Sequence, residues 1–231
     1  WIVGITCLCL GRPGNGAEAP RPRLTTLADK TLVAWVAPAN LTQRGGAVLT
    51  LIDPAERFDA IVFGEIAPGK WMPGSDFFRR TARDQTAWPA ETADAATFVQ
   101  AAITYQGKRI SLFRNAQPLF SYEVAQPQSF GRDVIVLLGL RYVGGMGEIG
   151  PFAGAIEEAR VYDRALDAAA LAALRPNQPS DPKPLGCWTF EDGTAKDVMG
   201  TFPDGQLRGG ARIADGKLHL NGTDAYAIAE P

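Results

Sequence analysis

From residue 30 onward the chain is written as short apolar runs bounded by Gly, Pro, Asn or Asp. The run "KTLVAWVA" (30–37) sets Leu32, Ala34 and Val36 on one face of an extended strand and Val33, Trp35 and Ala37 on the other. Both faces are apolar, which predicts a central strand covered on two sides. "AVLTLI", "FDAIVFGE", "FVQAAITY", "RISLFRN", "PLFSYEV" and "VIVLLGLRY" follow as further strands. "ITYQGKRISLFRNAQPLFSYEV" reads as two successive hairpins, with turns at Gln106-Gly107-Lys108 and Asn115-Ala116-Gln117. The one helical pattern is "LDAAALAALRP" (166–176), where Asp167 can cap the start, Pro176 stops it, and Leu171 and Leu174 share the buried side. Strands at this spacing with one short helix predict an all-β, two-sheet antiparallel sandwich carrying a surface helix.

The segments around the helix have a further implication. "FAGAIEEARVYDRALDAAALAAL" resembles the closing strand and trailing helix of the laminin-G-like, concanavalin A-like lectin/glucanase jelly rolls, with Gly154, Ile156, Glu158, Arg160, Tyr162, Arg164, Ala165 and Leu166 on the pattern. "CWTFEDGTAKDVMGTFPDGQLRGGARIADGKLHLNGTDAYAI" resembles the opening half of the same family. The closing half therefore precedes the opening half. In such a sandwich the first and last strands are neighbours, so the resemblance implies one domain over 20–231 with permuted halves, 24–176 and 185–231, joined by the Pro-rich linker 177–184. A truncated tandem of two repeats is the alternative. The order of segments, with "ADKTLVAWVAPANLTQRGG", also resembles the sandwich placed ahead of the catalytic domain in bacterial secreted invertase and levanase-type hydrolases.

Composition narrows the partners. A formal net charge of -2, with no basic run, gives no field to hold a phosphate backbone, so nucleic acid is not expected. The opening "WIVGITCLCL", followed by small residues at Ala17 and Ala19, resembles the apolar core and cleavage site of a secretory signal, too short to span a bilayer. Residues 1–19 are thus expected to be a signal peptide lacking its start, and the protein to be secreted or periplasmic. The mature chain then keeps Cys187 alone and forms no internal disulfide.

Catalytic chemistry finds little support. The glucanases on this fold use an E-x-D-x-x-E strand, and no such spacing occurs. Glu157 and Glu158 are adjacent on a strand and point to opposite faces. The single histidine, His219, alternates with Leu218 and Leu220 and reads as solvent-facing. The W-[ML]-N-D-P-N-G motif of the invertase group is absent.

Binding has one candidate segment. Residues 69–94 form a long connection that combines the aromatic Trp71, Phe77, Phe78 and Trp88 with Asp76, Arg79, Arg80, Asp84 and Gln85. Aromatic faces take the C–H surface of a sugar and planar polar groups take its hydroxyls, so Trp71, Asp76, Arg79, Arg80, Gln85 and Trp88 are the expected glycan contacts. Pinning of this loop to the sandwich, or docking on a neighbouring domain, is the competing use. The family resemblance also implies Ca2+ near the "KDVMGTFPDG" turn, with Asp197 and Asp204 as ligands, against a role for Asp197 as a turn cap. The expected function is a non-catalytic accessory module that binds glycan or braces an adjacent catalytic domain beyond Pro231. A structural or protein-interaction module of a cell-surface protein is the alternative.

Overall fold

The computed structural model describes residues 24–95 and 97–231. The proposed signal segment lies outside the described residues. The described chain forms β1 (Lys30–Pro38), β2 (Gly46–Ile52), β3 (Phe58–Phe63), β4 (Trp71–Ser75), β5 (Val99–Gln106), β6 (Arg109–Arg114), β7 (Gln117–Glu123) and β8 (Ile135–Leu138). It continues through β9 (Tyr142–Gly144), β10 (Gly147–Ile149), β11 (Ala153–Tyr162), the helix α1 (Ala168–Ala173), β12 (Gly186–Trp188), β13 (Gln206–Arg208), β14 (Arg212–Ala214), β15 (Lys217–Asn221) and β16 (Tyr226–Ala229).

Two antiparallel sheets pack face to face, as the alternating runs predict. The larger has the order β14-β15-β11-β1-β5-β6-β7, with β12 also on β11, and the smaller has the order β13-β16-β8-β2-β3-β4. Strands from residues 186–229 enter both sheets: β12 and β15 pair with β11, and β16 pairs with β8. The segments before and after the linker therefore share one core.

β1 is the central strand that its two apolar faces require, lying between β11 and β5. Leu32, Ala34 and Val36 point into the core between the sheets. Val33 and Trp35 point outward, where Tyr162, Leu166, Leu171 and Leu174 cover them. The helix does this as its sequence implies: the Asp167 carboxylate accepts from the Ala170 N–H, and Leu171 is fully buried.

Three elements differ from the sequence reading. The run 134–142 is broken at Gly139, whose φ of +91° ends β8 and lets the chain start anew at Tyr142. "GGMGEIG" lies outside the runs that read as strands, yet it carries the tight hairpin β9/β10. The first part of the 69–94 connection is itself a strand, β4, at the edge of the smaller sheet, where Pro73 costs no ladder partner on its free side.

The remainder of that connection closes the open edge of the sandwich. Lys30 of β1 meets Asp59 of β3 at 3.0 Å across the two sheets, both fully buried. Arg80 descends from the loop onto the same carboxylate at 3.1 Å, and also onto Asp76 at 3.0 Å and the Phe58 carbonyl at 2.7 Å. Tyr122 of β7 donates its hydroxyl to the Arg80 carbonyl at 2.8 Å, which ties the loop to the larger sheet.

Candidate functional site

The loop residues expected to grip a sugar are mostly interior. Trp71 is 2% exposed, tilted against Phe63 at 4.6 Å, and donates Nε1–H to Glu91 at 2.8 Å. Trp88 is 3% exposed and packs on Phe120 and Tyr122 of β7. Asp76 and Arg80 are spent on the buried ion cluster, and buried Gln85 donates weakly to Met72 and to the Ala82 carbonyl at 3.4 Å. The rings of Trp71 and Trp88 thus face the core, and the loop acts as a brace. Arg79 remains outside, its side chain 67% exposed beside Asp76. Phe77 is the exposed aromatic of the group, at 69%.

The expected cation ligands also have other work. Asp197 is fully buried, and its Oδ1 accepts the N–H groups of Cys187 and Met199 while Oδ2 accepts those of Thr201 and Phe202, at 2.8–3.0 Å. A carboxylate has about four lone-pair sites, and here N–H donors fill them. Asp197 caps the turn after β12, while Asp204 is exposed. No cluster of three or more His, Cys, Asp or Glu placed to hold a metal occurs among the described residues. Cys187 is equally unsuited to chemistry. Burial, with Glu158 beside it, pushes its thiol up to about 12, so the nucleophilic thiolate is not formed near neutrality.

An open groove lies instead on the outer face of the larger sheet. One cross-strand row sets Arg212 of β14 opposite His219 of β15, His219 opposite Ala155 of β11, and Ala155 opposite Ala37 of β1. The floor is small where α1 no longer covers it, and the cavity above holds about 570 Å3. This volume falls within the range of small-molecule sites, about 300–1,000 Å3. Gly154 keeps the floor low: its φ is +153°, and a Cβ there would stand 2.3 Å from the Ala37 carbonyl oxygen. A register shift between Trp35 and Val36 separates this end of β1 from the covered end.

The groove walls carry the polar groups. On β15 Leu218 and Leu220 point into the core, so Lys217, His219 and Asn221 take the outer face by strand alternation. Lys217 Nζ donates to the Asp215 carbonyl at 3.0 Å and lies 5.8 Å from the centre of the half-buried Phe98 ring. His219 Nε2 lies 3.2 Å from the Ala214 carbonyl, so this nitrogen carries hydrogen and donates. Asn221 sits at the end of the groove but is committed to its turn, its Oδ1 accepting from Thr223, Asp224 and Ala225. His219 is on the outer face as its alternation implied. The sequence signal for the rest was the same alternation in "RIADGKLHLN", which places two cations and a histidine along one hairpin.

Residues 11–172 match the family described as the concanavalin A-like lectin/glucanases superfamily. The chain belongs to that superfamily. Among solved structures, the superfamily fold is shared with a proposed carbohydrate-binding protein from Bacteroides ovatus ATCC 8483, at 15% identity and a TM-score of 0.53, covering 91% of this chain and 56% of that one. Domain 4 of AbnA, a GH43 extracellular arabinanase from Geobacillus stearothermophilus solved with arabinotriose, is similar at 18% identity and a TM-score of 0.47, covering 64% and 66% of the two chains. The CBM40 of the Ruminococcus gnavus IT-sialidase, bound to α2,3 sialyllactose, is similar at 15% identity and a TM-score of 0.43, covering 64% and 82%. This chain thus spans 56% and 66% of the length of the first two. No protein of curated function matches the chain in sequence. No helix of the described residues is long and apolar enough to cross a membrane.

Proposed function

We propose that this domain is a non-catalytic carbohydrate-binding module that holds a short glycan in the groove over β15, β11 and β1. The observation that carries the reading is the groove itself. Its Ala and Gly floor leaves room for a sugar ring, Phe98 offers an apolar face to the C–H surface, and Lys217 and Arg212 offer donors to hydroxyls. Membership of a superfamily of lectins and glucanases supports it, as do the missing acid pair and the buried thiol. In a longer secreted protein, such a module would keep a catalytic neighbour, of glycoside hydrolase type, close to its substrate.

Calorimetry and a glycan array with the full chain test the reading. Saturable binding that is lost in Ala155→Leu, while the circular dichroism spectrum persists, is the expected result. Binding that survives the filled groove would move the site elsewhere, and a folded chain that binds no glycan would remove the reading.

A second use of the surface is favoured by a separate feature. Phe77 and Met146, 69% and 60% exposed, flank a cleft of about 180 Å3 with Phe78, Tyr142 and Ile149. Consecutive Phe77 and Phe78 hold positive φ of +48° and +58°, a conformation rarely adopted by bulky residues. This apolar rim suits contact with a neighbouring domain. Phe77→Ala together with Met146→Ala should weaken such docking and leave glycan binding unchanged.

A further inference from the structure

The groove carries charge of one sign. Arg212 and Lys217 line it beside His219, and among the described residues no Asp or Glu does, in a chain whose formal net charge is -2. The contacts of these groups leave that charge in place. Arg212 is exposed. Lys217 donates to a neutral carbonyl, which orients the ammonium without cancelling its charge. With its Nε2 donating to Ala214, a neutral His219 keeps Nδ1 as an acceptor for a sugar hydroxyl.

We infer that the groove selects anionic sugars, those whose ring bears a carboxylate or a sulfate, and that Arg212 and Lys217 take the anionic substituent while Phe98 and the alanine floor take the ring. The inference rests on the groove being the glycan site. The placement of the groups favours it over general attraction of anions. The cations stand on β14 and β15 along one wall, and the floor between Ala155 and Ala37 is apolar. A ligand that fills the site therefore needs a charged edge and an uncharged body. An acidic saccharide has both, because its hydroxyls and C–H face remain neutral beside the charged substituent. A guanidinium also meets carboxylate and sulfate oxygens in a forked geometry that a lone hydroxyl cannot match.

The test is isothermal titration of the full chain with four probes: an oligogalacturonate, the same oligomer as its neutral methyl ester, a sulfated oligosaccharide, and polyglutamate as an anion without a sugar ring. The acid or the sulfated sugar is expected to bind about tenfold or more tightly than the ester, the scale of a charge-assisted contact. Whichever of the two binds better identifies the anionic group. Arg212→Ala with Lys217→Ala should bring the acid down to the level of its ester without lowering the melting temperature. Binding of both the acid and the sulfated sugar no tighter than that of the ester would overturn the inference, and if Ala155→Leu abolishes this binding, the groove remains the glycan site. Polyglutamate binding as tightly as the acidic sugars would overturn it in favour of charge alone. Failure of the folded chain to bind any saccharide would overturn the inference together with the reading beneath it.

Discussion

The outer face of the larger sheet is built in two ways along the same two strands. At one end β1 and β11 present Val33, Trp35, Tyr162 and the Glu158–Arg160 pair, and helix α1 with residues 175–184 covers them. Beyond the register shift at Trp35/Val36 the same strands present Ala37, Ala155 and Gly154, and the face is an open groove. Large and ionic side chains commit a sheet face to internal cover, because they are stable there only when packed and paired. Small ones leave volume that the chain does not fill. The difference separates stability from binding on a single surface, and mutations at the two ends should separate them too.

The largest effect is expected at the covered end. Arg160 is 2% exposed, and its guanidinium pairs with Glu158 and donates to the carbonyls of Arg175 and Gln178, each at 2.8 Å, while lying over Trp35. Arg160→Ala leaves the Glu158 carboxylate buried with its charge uncompensated and releases the linker. The expected loss is about 3–5 kcal/mol, read from urea unfolding. A loss under about 1 kcal/mol would mean that water reaches Glu158 as soon as the linker lifts.

Next comes the helix. Leu171 is fully buried among Val33, Trp35, Ala102 and Phe113, so Leu171→Ala should cost about 2–4 kcal/mol by thermal melting with little change in any groove binding. A matching loss of glycan affinity would mean that the two ends of the face are coupled, and that the cover helps to shape the groove.

This covered end was legible in the sequence, and the open end was not. Two apolar faces on residues 30–37 require cover on both sides, and an Asp-capped Ala/Leu run with Leu171 and Leu174 in register supplies it. The groove floor offers no such signal. Ala37 and Ala155 are unremarkable in their own runs, and become a site only when antiparallel register sets them beside His219 and Arg212. The 69–94 segment misled for a related reason. Its aromatic and polar composition suits a binding loop, but composition does not say which way a ring faces, and "WMPGS" hides an edge strand behind Pro73 and Gly74. Once β4 forms, Trp71 is drawn onto Phe63, and the loop beyond it is tied across the sandwich edge by Arg80 on Asp59 and by Tyr122 on the Arg80 carbonyl.

That brace gives the comparison a pH axis. Burial pushes the Glu91 carboxyl up, but hydrogen bonds from Arg114, Ala93, Trp71 and Thr92 outweigh it and hold the group down at about 2, from an ordinary 4.5. A carboxyl held lower in the folded chain than in the unfolded one stabilises fully above the unfolded value and is lost as pH falls through the folded one. The stability due to Glu91 should therefore be intact above about 4.5 and disappear toward 2. Because Arg114 is partly solvated, the effect should be smaller than that at Arg160. Glu91→Gln should flatten this part of the acid limb in a series of melts. An unchanged acid limb would assign it to other carboxylates.

The smallest stability effect should come from the open end, and its smallness is informative. Arg212 is exposed, Lys217 is held by a single carbonyl, and neither supports the core. Their removal to alanine should change unfolding free energy by no more than about 0.5 kcal/mol, as for surface positions generally. Arg212 stands on β14 and Lys217 on β15, both on one wall of the groove, and neither has a carboxylate partner there that a structural role would need. If the double variant melts well below the parent chain, the wall is part of the scaffold and the small floor is only a packing defect of the sheet. If stability holds, the two cations contribute nothing to the scaffold, as the proposed binding role requires.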